Sequence, residues 1–156
     1  MVHFRTQARL RVILLLSALL SLAVHSSYGQ GFLHSASTYI LDGSNRPILL
    51  RGMGLGGWLV PEGYMIGTSG SANSPTAFMT AVSSLVGESN ADLFFARYRE
   101  KYIQRKDIDS IARWGFNSVR LPMHYGILSN APGSYVEAGF AIIDSLLGWC
   151  EANQIY

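Results

Sequence analysis

Gly115-Phe116-Asn117-Ser118-Val119-Arg120-Leu121-Pro122 is the stretch on which the fold turns. The glycine stops a helix and the proline closes a strand. Between them side chains alternate, so Val119 and Leu121 share one face while Ser118 and Arg120 share the other. Upstream, Ile108, Ile111 and Ala112 recur at helical spacing and predict a helix from about Lys106 to Trp114. Downstream, a loop through Pro132-Gly133 leads to a helix from about Glu137 to Asn153, with Ile142, Ile143, Leu146, Leu147 and Cys150 on its inner face. Gln154-Ile155-Tyr156 reads as the start of another strand. This alternation belongs to an α/β fold, a parallel sheet with covering helices.

Nearer the N-terminus, Tyr39-Ile40-Leu41 and Ile48-Leu49-Leu50-Arg51 flank the turn residues Asp42 to Pro47 and predict a β-hairpin. A glycine-rich turn, Gly52 to Trp58, and a loop reaching Asn73 follow. Ser74-Pro75 is a helix start, a capping serine and a proline at the first helical position. Ser89 to Asp92 has the spacing of a capping box with Asp in place of Glu, and beyond it Phe95, Tyr98 and Tyr102 fall on one helical face. Trp114 and Trp149, on helices, are expected in the core; Trp58 begins a loop or anchors one.

The first 29 residues stand apart. Arg5, Arg9 and Arg11 precede the leucine-rich run Val12 to Val24, and Ser26, Ser27 and Gly29 follow. That is the layout of a secretory signal peptide cleaved between Ser26 and Gln30, which implies a secreted or periplasmic protein of residues 30–156. The run is too short for a membrane span, which needs about 20 apolar residues. Of 12 basic and 10 acidic residues, three basic and no acidic ones precede Gln30, so the remainder is 9 − 10 = −1. That balance gives no electrostatic reason to bind nucleic acid or an anionic membrane. Cys150 is the single cysteine, so the domain holds no internal disulfide and Cys150 reads as a small buried hydrophobe.

Arg51-Gly52-Met53-Gly54-Leu55-Gly56-Gly57-Trp58-Leu59-Val60-Pro61-Glu62 resembles family-five glycoside hydrolases, the cellulases and exo-1,3-β-glucanases. Their stretch after the first barrel strand is RG-x-N-L-GGW-L-V-x-E; Gly54 stands where the family usually has asparagine. The run Asp107 to Pro122 is similar to the family's helix followed by G-x-N-x-VR-[IL]-P. The ending Trp149 to Tyr156 looks like the helix leading to its third strand. The resemblance spans roughly Tyr39 to Tyr156 and implies an eight-stranded (β/α) barrel of about 250 residues. Two strands and a stub close no barrel, so the chain is expected to be the N-terminal part of a TIM barrel, truncated near the third strand. An open sheet edge then predicts low solubility or a molten state for the piece alone.

The resemblance implies a hydrolase of β-glucan or a related β-linked polysaccharide, working by retention with two glutamates about 5 Å apart. It places them at the ends of strands four and seven, outside this chain. Arg120 is the one catalytic candidate: at the C-terminal end of its strand it would face the barrel axis and hold the carboxylate nucleophile ionised. Glu62 matches an acidic residue that contacts sugar hydroxyls in the exo-glucanase branch. His124 and Tyr125, directly after the arginine strand, fall on the catalytic rim as substrate-binding candidates. A structural ion pair for Arg120, a solvated charge for Glu62 and a backbone-bonded loop histidine for His124 are the alternatives. No cofactor and no metal are implied, since His34 is the only other histidine after residue 29. Two rival functions stand beside the hydrolase. One is a non-catalytic carbohydrate-binding or cell-surface protein on the same barrel. The other is a nucleotide enzyme resting on Gly52-x-Gly54-x-x-Gly57, a weak match because Pro61 and Gly63 break the helix it requires.

Overall fold

Asp42 organises the first turn. Its Oδ1 accepts the backbone N–H groups of Ser44 (2.8 Å) and Arg46 (3.0 Å), and its Oδ2 takes the Arg46 guanidinium (2.9 Å). The Arg46 N–H above all holds this carboxyl below the usual carboxylate range. The computed structural model describes residues 31–68 and 70–156, so the leader and its cleavage site lie outside the described residues. The chain divides into two compact units, Met1–Gly31 and Phe32–Tyr156, and every element below belongs to the second.

β1 (His34–Ala36) and β2 (Tyr39–Leu41) pair antiparallel around Ser37, whose φ is 55°. The expected hairpin thus has its second arm before Asp42. After the Asp42 turn the chain returns only as a bridge, Leu41 to Pro47, with Ile48 N–H donated to the Ile40 carbonyl. Proline offers no N–H to a ladder, and residues 48–51 remain irregular.

The expected glycine-rich turn begins instead as a strand. β3 (Gly52–Gly54) runs parallel to β4 (Ser118–Arg120), pairing Gly52 with Ser118, Met53 with Val119 and Gly54 with Arg120. Asn117 stitches the irregular approach to β4: Arg51 N–H donates to its Oδ1 (2.7 Å), and its Nδ2 donates to the Leu49 carbonyl (2.9 Å). On the far side of β4, Tyr156 N–H donates to the Asn117 carbonyl (2.9 Å) and Val119 N–H to the Tyr156 carbonyl (2.8 Å). Residues 155–156 therefore begin a parallel pairing, as expected, and the sheet runs in chain order. Among the described residues it does not close into a barrel.

Between β3 and β4 lie four helices: α1 (Gly63–Ile66), α2 (Pro75–Val86), α3 (Glu88–Tyr102) and α4 (Arg105–Arg113). Ser74 caps α2 as expected, its hydroxyl accepting the Ala77 N–H at 3.1 Å, with Pro75 at the first position. The capping box expected at Ser89 does not form. α3 starts two residues earlier, with Gly87 at φ 81° as its N-cap in place of Ser89, which puts Ser89 inside the helix. A capping box does open α4, where Asp107 Oδ2 accepts the Gln104 N–H (2.8 Å). Gly115, at φ 86°, ends that helix in the left-handed region that glycine adopts without strain.

A short antiparallel pair, β5 (Ser129–Ala131) and β6 (Ser134–Tyr135), precedes α5 (Glu137–Ala152). The core joins Leu55, Trp58 and Leu59 to Ile108 and Ile111 of α4, Leu146 and Cys150 of α5, and Ile155. Burial pushes the Cys150 thiol up, away from a reactive thiolate. Two expected core residues are exposed. Leu147 (59 %) lies a step round α5 from the inward stripe Ile142, Ile143, Leu146 and Cys150. Trp114 (69 %) is the C-cap residue of α4, past the stripe of Ile108, Ile111 and Ala112. Among the described residues no helix is long and apolar enough to cross a membrane.

Candidate functional site at the strand ends

Val119 and Leu121 both pack against the core. Alternation therefore turns Arg120, the last residue of β4, to the opposite face of the sheet. Its backbone carbonyl accepts the Leu55 N–H (2.9 Å), which fixes the first residue after β3 beside it. Its side chain is exposed and makes no hydrogen bond or ion pair among the described residues.

The loops that leave β3 and β4 stay together. Leu59 and Met123 form a parallel bridge, and the His124 N–H donates to the Leu59 carbonyl (3.1 Å). The segment carrying Glu62 and the segment carrying His124 are thus held edge to edge at the carboxyl ends of the strands. Glu62 is half-buried. Its Oε2 accepts the Gly57 N–H (3.2 Å) and its Oε1 the Tyr64 hydroxyl (3.4 Å), while its backbone carbonyl starts α1 by accepting from Met65. With one donor on each oxygen the carboxylate keeps a free acceptor lone pair on both.

His124 Nδ1 accepts the Gly126 N–H (3.1 Å), capping the 3₁₀ turn Tyr125–Ile127. In the neutral ring this places the proton on Nε2, which leaves a donor. The Tyr125 ring lies 4.3 Å from that imidazole, tilted by 33°, and is 77 % exposed. A groove of about 800 Å³ opens beside the rim, lined by Trp58, Leu59, Pro61, Met79, His124 and Ile127 among others. Arg120, Glu62 and Tyr125 are not among its lining residues. The structure thus ties the Glu62 and His124 loops together and puts Arg120 at the adjoining strand end.

Trp58 is an anchor, 2 % exposed, with its Nε1–H donated to the Arg99 carbonyl (2.8 Å). The nucleotide reading fails on backbone: Gly52 and Gly54 lie inside β3, and no helix begins at Gly57. Sequence reasoning missed Tyr98 as a site residue. Its hydroxyl donates to the Gly57 carbonyl, and its ring stacks on Phe94 and Tyr102. The available signal was the aromatic run on one helical face facing a double glycine, though nothing in the spacing says which turn that face meets.

A parallel sheet with helices outside it and a polar rim at its carboxyl ends is the arrangement of a (β/α)-barrel-like α/β protein. The chain belongs to the cellulase family, glycosyl hydrolase family 5, whose family model matches residues 75–156. Arg120, His124 and Tyr125 fall inside that match and Glu62 outside it. The chain is 28 % identical over 127 residues to a beta-xylosidase of Phanerodontia chrysosporium, covering 80 % of this chain and 26 % of that one. It is 28 % identical over 107 residues to a probable glucan 1,3-beta-glucosidase A of Aspergillus clavatus, covering 67 % and 25 %. Endoglucanase C of Acetivibrio thermocellus is 38 % identical over 69 residues, 43 % of this chain and 20 % of that one. Among solved structures, the crystal structure of AoRut matches with a TM-score of 0.50 and 26 % identity, covering 64 % of this chain and 28 % of that one. The chain spans about a quarter of the length of the curated relatives it matches.

Proposed function

We propose that the protein is a secreted glycosidase that hydrolyses O-glycosyl bonds of a β-linked glucan with retention of configuration. The observation that carries this reading is Arg120. In a chain of this family, it stands at the carboxyl end of a parallel strand, on the face opposite the core and beside a rim of carboxylate, imidazole and phenol. Arg120 supports the nucleophile, while Glu62, His124 and Tyr125 contact sugar hydroxyls and ring faces. The names of the relatives support a β-linked substrate, two of them a glucan, and the basic leader with its apolar run supports export. The acid/base and the nucleophile are assigned to strands four and seven, so the 156-residue chain alone is expected to turn over no aryl β-glucoside. A non-catalytic sugar-binding protein on the same barrel would bind the glycan without cleaving it.

The test is hydrolysis of an aryl β-glucoside by the complete protein, with the first-released anomer followed by NMR. The β-anomer is expected first. An α-anomer overturns retention, and binding without turnover favours the non-catalytic reading. In the same assay Glu62→Ala is expected to raise KM about tenfold with a milder loss of kcat. That is about 1.4 kcal/mol, the size of one hydrogen bond to a charged group. An unchanged KM removes Glu62 from the sugar site.

A further inference from the structure

We propose that Tyr98 is a positioning residue for Glu62, acting through Gly57. The proposal rests on the reading of Glu62 as a sugar ligand and adds what aims it.

Gly57 is bonded at both ends. Its N–H is donated to Glu62 Oε2 at 3.2 Å, and its carbonyl accepts the Tyr98 hydroxyl. The next residue is tied to the same turn of α3, because Trp58 Nε1–H donates to the Arg99 carbonyl at 2.8 Å. Two consecutive residues of α3 thus hold two consecutive residues of the loop. Tyr102 closes the third side: a Cβ on Gly57 would lie 2.6 Å from its hydroxyl oxygen, and Gly57 sits at φ 77°. Only glycine fits that conformation beside that ring.

The remaining support for Glu62 is weak. Tyr64, itself 75 % exposed, reaches Oε1 at 3.4 Å, which is long for a hydroxyl donor. The carboxylate therefore takes its direction from the Gly57 N–H. That N–H and the carbonyl Tyr98 holds lie in successive peptide planes joined at the Gly57 Cα, so Tyr98 anchors the residue that carries the donor. Burial, first of all, pushes the Tyr98 phenol up to about 12, so the hydroxyl keeps its proton and remains a donor through neutral and moderately alkaline pH. Its ring lies 6.2 Å from Phe94 and 4.9 Å from Tyr102, contacts that do not depend on the hydroxyl.

Tyr98→Phe in the complete protein removes the hydroxyl and leaves the ring in its stack. KM is expected to rise about three- to tenfold with kcat within about twofold, in protein whose circular dichroism and melting midpoint show it folded. The Gly57 amide should exchange its hydrogen faster. In the double variant with Glu62→Ala, KM should rise no further than in Glu62→Ala alone, because both changes remove one interaction. A purely structural tyrosine would lower stability and leave KM at the wild-type value. Additive KM effects, or a KM unmoved by Tyr98→Phe while Glu62→Ala raises it, would overturn the positioning role and leave Glu62 as a ligand. A KM unmoved by Glu62→Ala would instead overturn the ligand reading, and the function given to Tyr98 with it.

Discussion

Arg120→Lys in the complete protein is expected to lower kcat about 10²-fold while leaving KM nearly unchanged. The reason lies in what a nucleophilic carboxylate needs. A carboxylate withdrawn from water without partners has a raised pKa, and a protonated one does not attack. An arginine at the carboxyl end of β4, turned away from the core by strand parity, supplies a positive charge and a planar fork of donors. Lysine keeps the charge and loses the fork. A 10²-fold loss corresponds to about 2.7 kcal/mol at 1.36 kcal/mol per decade. KM is spared because the arginine is assigned to the nucleophile and not to the sugar. The rival role, a structural ion pair, finds no acidic partner for Arg120 among the described residues. Steady-state kinetics on folded variant protein decides between them. A wild-type kcat in Arg120→Lys would withdraw the catalytic assignment.

Parity in β4 was legible because Val119 and Leu121 are large and apolar, Arg120 is charged, and Pro122 marks the end. β3 was not. Gly52-Met53-Gly54 offers one side chain in three residues, so no alternation exists to be read, and its extended form comes from pairing with β4 some 66 residues away. Ile48-Leu49-Leu50 misled in the opposite sense. An apolar run suggests a strand, yet Leu49 is 74 % exposed and the run follows a proline that ends its ladder. The β1–β2 hairpin turns at Ser37 in the left-handed region, and no glycine, asparagine or proline announces it. Four α-helices were legible to within a residue or two, since caps and stops are local: Ser74 with Pro75, and Gly115. α1 (Gly63–Ile66) was not, because a single turn inside a stretch that reads as loop leaves no periodicity to see. The site divides the same way. Arg120, His124 and Tyr125 could be placed from one strand and its exit. The bonds that aim Glu62 run through a contact 41 residues distant in sequence, which local pattern does not encode.

Two glycines in α5 are expected to respond to alanine with opposite signs. Gly139 sits buried in the first turn, and a Cβ there would lie 1.8 Å from the Ile127 carbonyl oxygen and 2.7 Å from its carbon. Those are backbone atoms of the 3₁₀ turn Tyr125–Ile127, which His124 caps and the Leu128 carbonyl ties onward to Val136 N–H. No rotamer change relieves such a clash; the turn must move or α5 must start later. Overpacking of this kind costs about 3 kcal/mol. For the complete barrel of about 250 residues that the resemblance implies, that is a melting midpoint lower by roughly 6–12 °C. Because the same turn carries Tyr125 and the His124 imidazole, Gly139→Ala should also raise KM. Gly148 lies about two and a half turns on, exposed, with nothing within 4 Å of a built Cβ. There alanine restricts the unfolded chain and favours the helix, so Gly148→Ala should stabilise by about 0.5–1 kcal/mol. Paired midpoints in urea or heat, each variant against wild type, measure the difference. If Gly139→Ala unfolds at the wild-type midpoint, α5 does not seat against Ile127 as closely as described, and the rim built on that contact is looser than the site requires.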